Sequence, residues 1–109
     1  MSQINLPNMI AGQFAAFAFE SVTVDNTPGG VALTTATLSD DDGHAKRAFI
    51  SIEGAQIRYR YDGSDPTSSV GHLANAFDGI ILATSSNLKN FRAIRTGSNN
   101  ATLRCTYEH

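Results

Sequence analysis

Three successive aspartates stand at residues 40–42, directly before Gly43. Clustered carboxylates are the first requirement of a calcium-binding loop. An EF-hand loop also needs a glutamate at its twelfth position, and the twelfth residue counted from Asp40 is Ser51. Because aspartate and glycine are ordinary turn residues, the pattern favours a solvated loop over an ion site.

A second pair of carboxylates, Asp62 and Asp65, has the side-chain type that serves as general acid and base or as metal ligand. Both lie in the hexapeptide Asp-Gly-Ser-Asp-Pro-Thr at residues 62–67, whose glycine and proline are typical of a tight turn. Aspartates in turns commonly hydrogen-bond the local backbone, and we favour this interpretation. Gly63 is expected to adopt a positive φ angle.

Histidine and cysteine add no recognisable site. His44, His72 and His109 share no metal-binding spacing, and the sequence has no HExxH, Cys-x-x-Cys or Gly-x-Ser-x-Gly motif. The single cysteine, Cys105, alternates with polar residues, which predicts a buried and unreactive thiol. The sequence therefore predicts no catalytic residue, no metal site and no cofactor, and it argues against an enzyme.

Arginines are the remaining candidates for a functional surface. Five of the eight basic residues are arginines on predicted strands: Arg58, Arg60, Arg92, Arg95 and Arg104. If their strands are neighbours, several guanidinium groups line one polar face, which suits carboxylate pairing at a protein interface. The alternative is a solvated sheet face on which long side chains cover apolar surface.

Strands must position these side chains, because apolar and polar residues alternate along most of the chain. Ile57, Tyr59 and Tyr61 show this alternation, and we expect all three to face the core. Strands are predicted over residues 19–24, 31–38, 48–53, 57–61, 80–83, 88–95 and 101–107. Turn residues separate them, residues 68–75 are irregular, and no sustained helical period is present. About seven strands in one domain predict an all-β sandwich or small barrel.

Residues 1–12 have no clean period and contain Pro7 and Gly12. We interpret them as an extended arm that precedes a β-sandwich domain of residues 13–109. A dozen extended residues reach about 40 Å, well beyond the radius of so small a domain. Four large apolar residues of the arm are costly to leave in water: Ile4, Leu6, Met9 and Ile10. They either fold back onto the domain or bury against a neighbouring subunit.

Charge and hydropathy narrow the range of partners. The net charge of −2 argues against general nucleic-acid binding, which needs a basic surface. The first eighteen residues lack a basic n-region, and polar residues interrupt every apolar run. Neither a signal peptide nor a membrane helix is expected, so no membrane partner is predicted.

Five pieces of the second half occur in a familiar order: the strand at 57–61, the turn at 62–67, the buried strand at 80–82, Asn-Phe-Arg-Ala-Ile at 90–94 and the closing strand at 101–107. This order resembles the immunoglobulin-like β-sandwich at the C-terminus of chitobiase and in many accessory modules. Residues 53–63, 91–97 and 101–103 read Glu-Gly-Ala-x-Ile-Arg-Tyr-Arg-x-Asp-Gly, Phe-Arg-Ala-Ile-Arg-Thr-Gly and Ala-Thr-Leu. These segments resemble small free-standing proteins encoded in the structural regions of tailed phages and prophages.

The resemblance implies a single immunoglobulin-like β-sandwich that functions as a non-enzymatic virion protein. We expect an oligomeric capsid decoration or cement protein. It would bind copies of itself, for example as a trimer, and other virion proteins such as the major capsid protein or tail proteins. A tail or head–tail accessory protein is one alternative. A carbohydrate-binding adhesion module is another, but it needs exposed aromatic rings. The sequence has no Trp, and Tyr59 and Tyr61 are expected on the core face.

Overall fold

The computed structural model describes residues 14–34, 39–40 and 43–109. The predicted arm with Ile4, Leu6, Met9 and Ile10 lies outside the described residues, and so do Asp41 and Asp42. In chain order the elements are β1 (Ala16–Val24), β2 (Val31–Ala32), β3 (Ser39–Asp40), β4 (Gly43–His44), β5 (Arg47–Glu53), β6 (Ile57–Arg60), β7 (His72–Ala74), β8 (Gly79–Ala83), α1 (Ser85–Asn90), β9 (Arg92–Arg95) and β10 (Ala101–Glu108).

The strands form two four-stranded antiparallel sheets that share one core. The first sheet has the order β1-β10-β5-β8, the second has the order β2-β9-β6-β7, and β3 and β4 form a separate ribbon. The chain passes directly from one sheet to the other after β1, β5, β7, β8 and β9, so both sheets contribute to the same core. The predicted all-β sandwich is confirmed, with eight strands in the two sheets of the described chain, where the sequence indicates about seven.

The core consists of the inward residues of the alternating strands. Those of the two central strands of the first sheet are all buried: Ala48, Ile50 and Ile52 in β5, and Ala101, Leu103, Cys105 and Tyr107 in β10. The register places Cys105 opposite Ile50, so the two strands present these residues to the same side. Burial raises the pKa of the Cys105 thiol to about 12. The prediction of a buried cysteine is confirmed.

Strand β6 only partly follows its predicted pattern. Ile57 is fully buried, and Tyr59 is half-buried with its ring packed against the core. Tyr61 is 37% exposed, so the prediction that it faces the core is wrong. The reason is that β6 ends at Arg60, one residue before Tyr61. Side chains alternate between the two faces of a sheet only within a strand, so the pattern does not predict the orientation of a residue in the turn.

The predicted strand over residues 88–95 is wrong in its first half. Residues 85–90 form the helix α1, and β9 begins only at Arg92. The Thr84 hydroxyl caps α1 by accepting a hydrogen bond from the backbone N–H of Asn87 at 3.3 Å, and Leu88 anchors the helix in the core. Among the described residues, no helix is long and apolar enough to cross a membrane.

Two other predicted segments also differ from the structure. The strand predicted over residues 31–38 corresponds to the two-residue β2, and residues 35–38 lie outside the described range. Residues 68–75 are predicted to be irregular, yet they contain β7, which pairs with β6 through Ile57 and Ala74. A strand of three residues is too short to produce a readable alternation, whereas the serines and glycine before it give a clear turn signal.

Candidate functional site

The five arginines predicted for an interface are divided between the two sheets. Arg58, Arg60 and Arg92 lie on the outer side of the second sheet, where the register places Arg60 opposite Arg92. Two of them bind local backbone. Arg58 donates to the carbonyl oxygens of residues 68 and 71 at 3.3 and 2.9 Å, and Arg92 donates to those of residues 89 and 91 at 3.0 and 2.8 Å.

The other two arginines lie elsewhere. Arg104 belongs to β10 of the first sheet. Arg95 is at the end of β9, opposite the buried Ile57, beside a cavity of about 510 Å³. Its Nη1 donates to Oδ1 of Asn100 at 2.5 Å, and its buried Nε has no hydrogen-bond partner within the described chain. The five arginines therefore do not share one face, and an interface role for any of them stays a prediction.

Large apolar side chains are exposed on the outer face of the first sheet. Phe19 in β1, Phe49 in β5 and Ile81 in β8 have 61%, 49% and 70% of their surface exposed. Thr106 of β10 is opposite both Phe19 and Phe49, and Phe49 is in turn opposite Ile81. Residues directly opposite in a sheet point to the same side, so the three side chains form one line about 14 Å long. We call Phe19, Phe49 and Ile81 the apolar row.

Two ion pairs border the apolar row, one on each side along the strands. Arg47 pairs with Glu108, and Arg104 pairs with Glu53 at 3.1 Å. Each pair joins β5 to β10 on the face that carries the row. Because the two positive and two negative charges cancel, this part of the face offers a partner mainly apolar contact.

A cleft opens at the end of the second sheet, where β6 runs into the turn. Its volume is about 540 Å³, and it is lined by Arg60, Tyr61, Asp62, Val70, Gly71 and His72. The rings of Tyr61 and His72 are 6.0 Å apart with an interplanar angle of 26°. Tyr59 lies 5.4 Å from His72 and 5.7 Å from the buried ring of Phe91, so the rings extend the core to the surface. We call this feature the aromatic cleft.

Arg60 and Asp62 form the polar side of the aromatic cleft. Arg60 donates from Nε to Oδ1 of Asp62 at 3.1 Å and from Nη2 to Oδ2 at 2.6 Å, which is a two-point ion pair. Oδ1 of Asp62 also accepts from the backbone N–H of Ser64 at 3.3 Å, as expected for an aspartate in a turn. The hydrogen bonds from Arg60 lower the pKa of Asp62 to about 2. The carboxylate of Asp65 instead lies against Gly29.

This ion pair predicts a specific loss of stability in acid. The pKa of Asp62 lies below its ordinary value of 3.8, so its ionised form stabilises the fold above about pH 4. That contribution is lost as the pH falls from about 4 to about 2. We expect Asp62→Asn to lower the urea midpoint at neutral pH and to have a smaller effect at pH 2. A difference from the wild type that stays constant over this range would contradict the prediction.

Gly63 has a φ of +91°, which confirms its predicted positive φ. A Cβ added at Gly63 would meet nothing within 4 Å, so backbone strain is the main cost of a substitution. We expect Gly63→Val to destabilise the protein by more than about 1 kcal/mol. Ser64→Val is the matched control at the next position and should be tolerated. Equal midpoints in urea for the two variants would contradict this assignment.

His72 and His109 lie in different parts of the structure. His72 lies in the aromatic cleft, whereas the ring of His109 stacks on Phe17 at a centroid distance of 4.3 Å. Among the described residues, no three His, Cys, Asp or Glu side chains come together as they would around a metal ion.

Comparisons of this chain with models of protein families, with curated proteins and with solved structures find no match. The structural observations that bear on function are therefore the apolar row and the aromatic cleft.

Proposed function

We propose that this chain is a non-enzymatic structural protein of a tailed-phage virion, which assembles as an oligomer and decorates or cements the capsid. The observation that carries the proposal is the apolar row. Scattered apolar residues are normal on protein surfaces, but a line of two phenylalanines and an isoleucine across a sheet, interrupted by Thr106, marks an interaction surface. The resemblance of residues 53–63, 91–97 and 101–103 to small phage structural proteins supports the virion setting.

The occupant that we propose for the apolar row is the N-terminal segment, residues 1–13, of a second copy of the chain. This segment has no charged side chain and supplies the four apolar residues Ile4, Leu6, Met9 and Ile10. An uncharged, apolar segment suits the row. The charged residues that border the row already pair with one another, so the row offers a partner mainly apolar contact. A strongly charged partner would have to break these ion pairs to gain anything from them.

The direction of β1 favours a second copy over the segment's own domain. Ala15 and His109 exchange two backbone hydrogen bonds of 3.1 Å, so the chain still belongs to the sheet ladder at Ala15. Phe19 lies four residues further into the sheet from that point. A segment that continued the line of β1 would lead away from its own apolar row, although the Phe14 ring lies 4.2 Å from the Arg47 guanidinium at the border of that row. Thirteen extended residues reach about 45 Å, which is enough to contact a neighbouring molecule.

Purified virions of the phage or prophage that encodes this chain provide the test. Quantitative mass spectrometry counts the copies of the chain in each particle. Hundreds of copies would support the capsid lattice or a tail tube, and a handful would indicate a vertex or a tail-tip fitting instead. Absence of the chain from purified particles would overturn the proposal.

Particle binding connects this function to the apolar row. Purified protein is added to particles that lack the chain, and bound protein is separated by sedimentation. We expect the wild type to sediment with the particles and a Phe49→Ser, Ile81→Ser double variant to stay in the supernatant. A Ser51→Ala variant on the same outer face is the control and should bind like the wild type. Equal binding of all three proteins would contradict a role for the row.

A further inference from the structure

We propose that the aromatic cleft binds a neutral sugar residue of a glycan. The cleft lies on the second sheet, so this function is independent of the apolar row and goes beyond a structural role. Its volume of about 540 Å³ falls in the range of small-ligand sites, and its lining combines apolar surface with a few polar groups. Tyr61 is exposed and available to a ligand, whereas the ring of Tyr59 packs against the core.

The apolar wall of the cleft suits the face of a pyranose ring. A pyranose presents C–H groups on its faces and hydroxyl groups at its edge, and aromatic rings offer rigid apolar surface with a polar tip. Tyr61 is 37% exposed and Val70 is 51% exposed, and the His72 ring lies beside Tyr61 at 6.0 Å. A sugar ring that packs against Tyr61 and Val70 would cover apolar surface that now faces water.

The polar wall of the cleft suits hydroxyl groups. A hydroxyl both donates and accepts, so it can donate to the Asp62 carboxylate and accept from the Arg60 guanidinium. Arg60 uses Nε and Nη2 on Asp62, and its Nη1 makes no hydrogen bond within the described chain. The side chain of Asp62 is 58% exposed, so its oxygens also have room for a ligand.

The ion pair between Arg60 and Asp62 argues against an anionic ligand. Among the described residues that line the cleft, Arg60 is the one arginine or lysine, and Asp62 binds it through both carboxylate oxygens. Its positive charge is therefore already neutralised. The low pKa of Asp62 keeps that carboxylate ionised at any physiological pH, where it would repel a phosphate or an acidic side chain. A neutral polyhydroxylated ligand satisfies both groups at once.

Hydrogen bonds within the loop at residues 67–71 hold the cleft in place before any ligand arrives. The backbone N–H of Thr67 donates to the carbonyl of Val70 at 2.9 Å, and the Thr67 hydroxyl accepts from the N–H of Val70 at 3.0 Å. Arg58 donates to the Gly71 carbonyl at 2.9 Å from the other side of the loop. A preformed site loses less conformational entropy on binding, which matters for ligands that bind weakly.

Affinity electrophoresis of the full chain tests the proposal. Native gels are cast with soluble neutral polysaccharides built from glucose, mannose, galactose or N-acetylglucosamine. We expect at least one of them to retard the wild type, and Tyr61→Ala to weaken that binding about tenfold. Val70→Ser, at an exposed position, is a second variant that should also bind less. Leu73→Ala is the matched control. Leu73 is 48% exposed, but it points to the other side of β7 from His72 and does not line the cleft.

NMR titration of the ¹⁵N-labelled chain with the monosaccharide of the retarding polymer locates the site. We expect shifts of the backbone signals at residues 60–62 and 70–72, and unchanged spectra with inorganic phosphate. The proposal is overturned if no polysaccharide retards the chain, or if Tyr61→Ala and Val70→Ser migrate like the wild type while folded. It is also overturned if phosphate, and no sugar, shifts the signals of the cleft.

Discussion

We expect Ile57→Ala to lower the free energy of unfolding by about 2–5 kcal/mol. Ile57 is fully buried in β6, between Ala74 of β7 and Arg95 of β9. Truncation to alanine removes apolar surface from the core and leaves a cavity that strands hydrogen-bonded on both sides cannot close. Urea denaturation at neutral pH gives the difference between variant and wild type.

The control for this prediction lies in the same ladder. Leu73 of β7 pairs with Arg58, one position from Ile57, but it points to the outer side and is 48% exposed. Leu73→Ala removes as many carbon atoms as Ile57→Ala, and we expect it to cost much less. Arg60→Ala, at another outward position of β6, should also cost far less than Ile57→Ala. If Ile57→Ala and Leu73→Ala destabilise the protein equally, the inward face of β6 is assigned wrongly.

Substitution of the four apolar residues of the N-terminal segment should strongly weaken self-association. In this variant Ile4, Leu6, Met9 and Ile10 are all replaced by serine. Burial of these four side chains contributes roughly 6–12 kcal/mol before the entropy of ordering the segment is subtracted. We expect the dissociation constant of the oligomer to rise at least about 100-fold, which corresponds to about 2.8 kcal/mol. Sedimentation velocity over a range of protein concentrations measures this change.

A matched variant replaces polar residues of the same segment, Gln3, Asn5, Asn8 and Gln13, by serine. We expect it to associate like the wild type, and both variants to melt like the wild-type monomer in dilute solution. Unfolding of the first variant would place the segment in the core of its own domain. Normal association of the first variant would mean that the segment is dispensable for assembly.

Much of the first sheet could be predicted from the sequence. The alternation in β5 and β10 continues over seven and eight residues, and each strand buries one complete face. A long regular pattern of this kind identifies both the strand and its inward side. The turn at residues 62–67 was equally predictable, because Gly63 and Asp62 each have a specific role there.

The apolar row and the aromatic cleft could not be predicted, because both depend on how strands are paired. Alternation indicates that Phe19 and Phe49 point away from the core, but only the register aligns them with each other and with Ile81. The arginines could not be grouped from the sequence for the same reason. Alternation shows which side of a strand a residue faces, but it does not show which sheet the strand joins. The core prediction for Tyr61 is wrong because the sequence does not indicate that β6 ends one residue before it.

Photo-crosslinking tests the central claim, that the apolar row of one copy contacts the N-terminal segment of another. Phe49 is replaced by the photoreactive p-benzoylphenylalanine in unlabelled protein, which is mixed with ¹⁵N-labelled wild type and irradiated. We predict crosslinked peptides that join position 49 of the unlabelled chain to residues 1–13 of the labelled chain. Crosslinks to residues 1–13 of the same unlabelled chain alone, or none to this segment, would contradict the account.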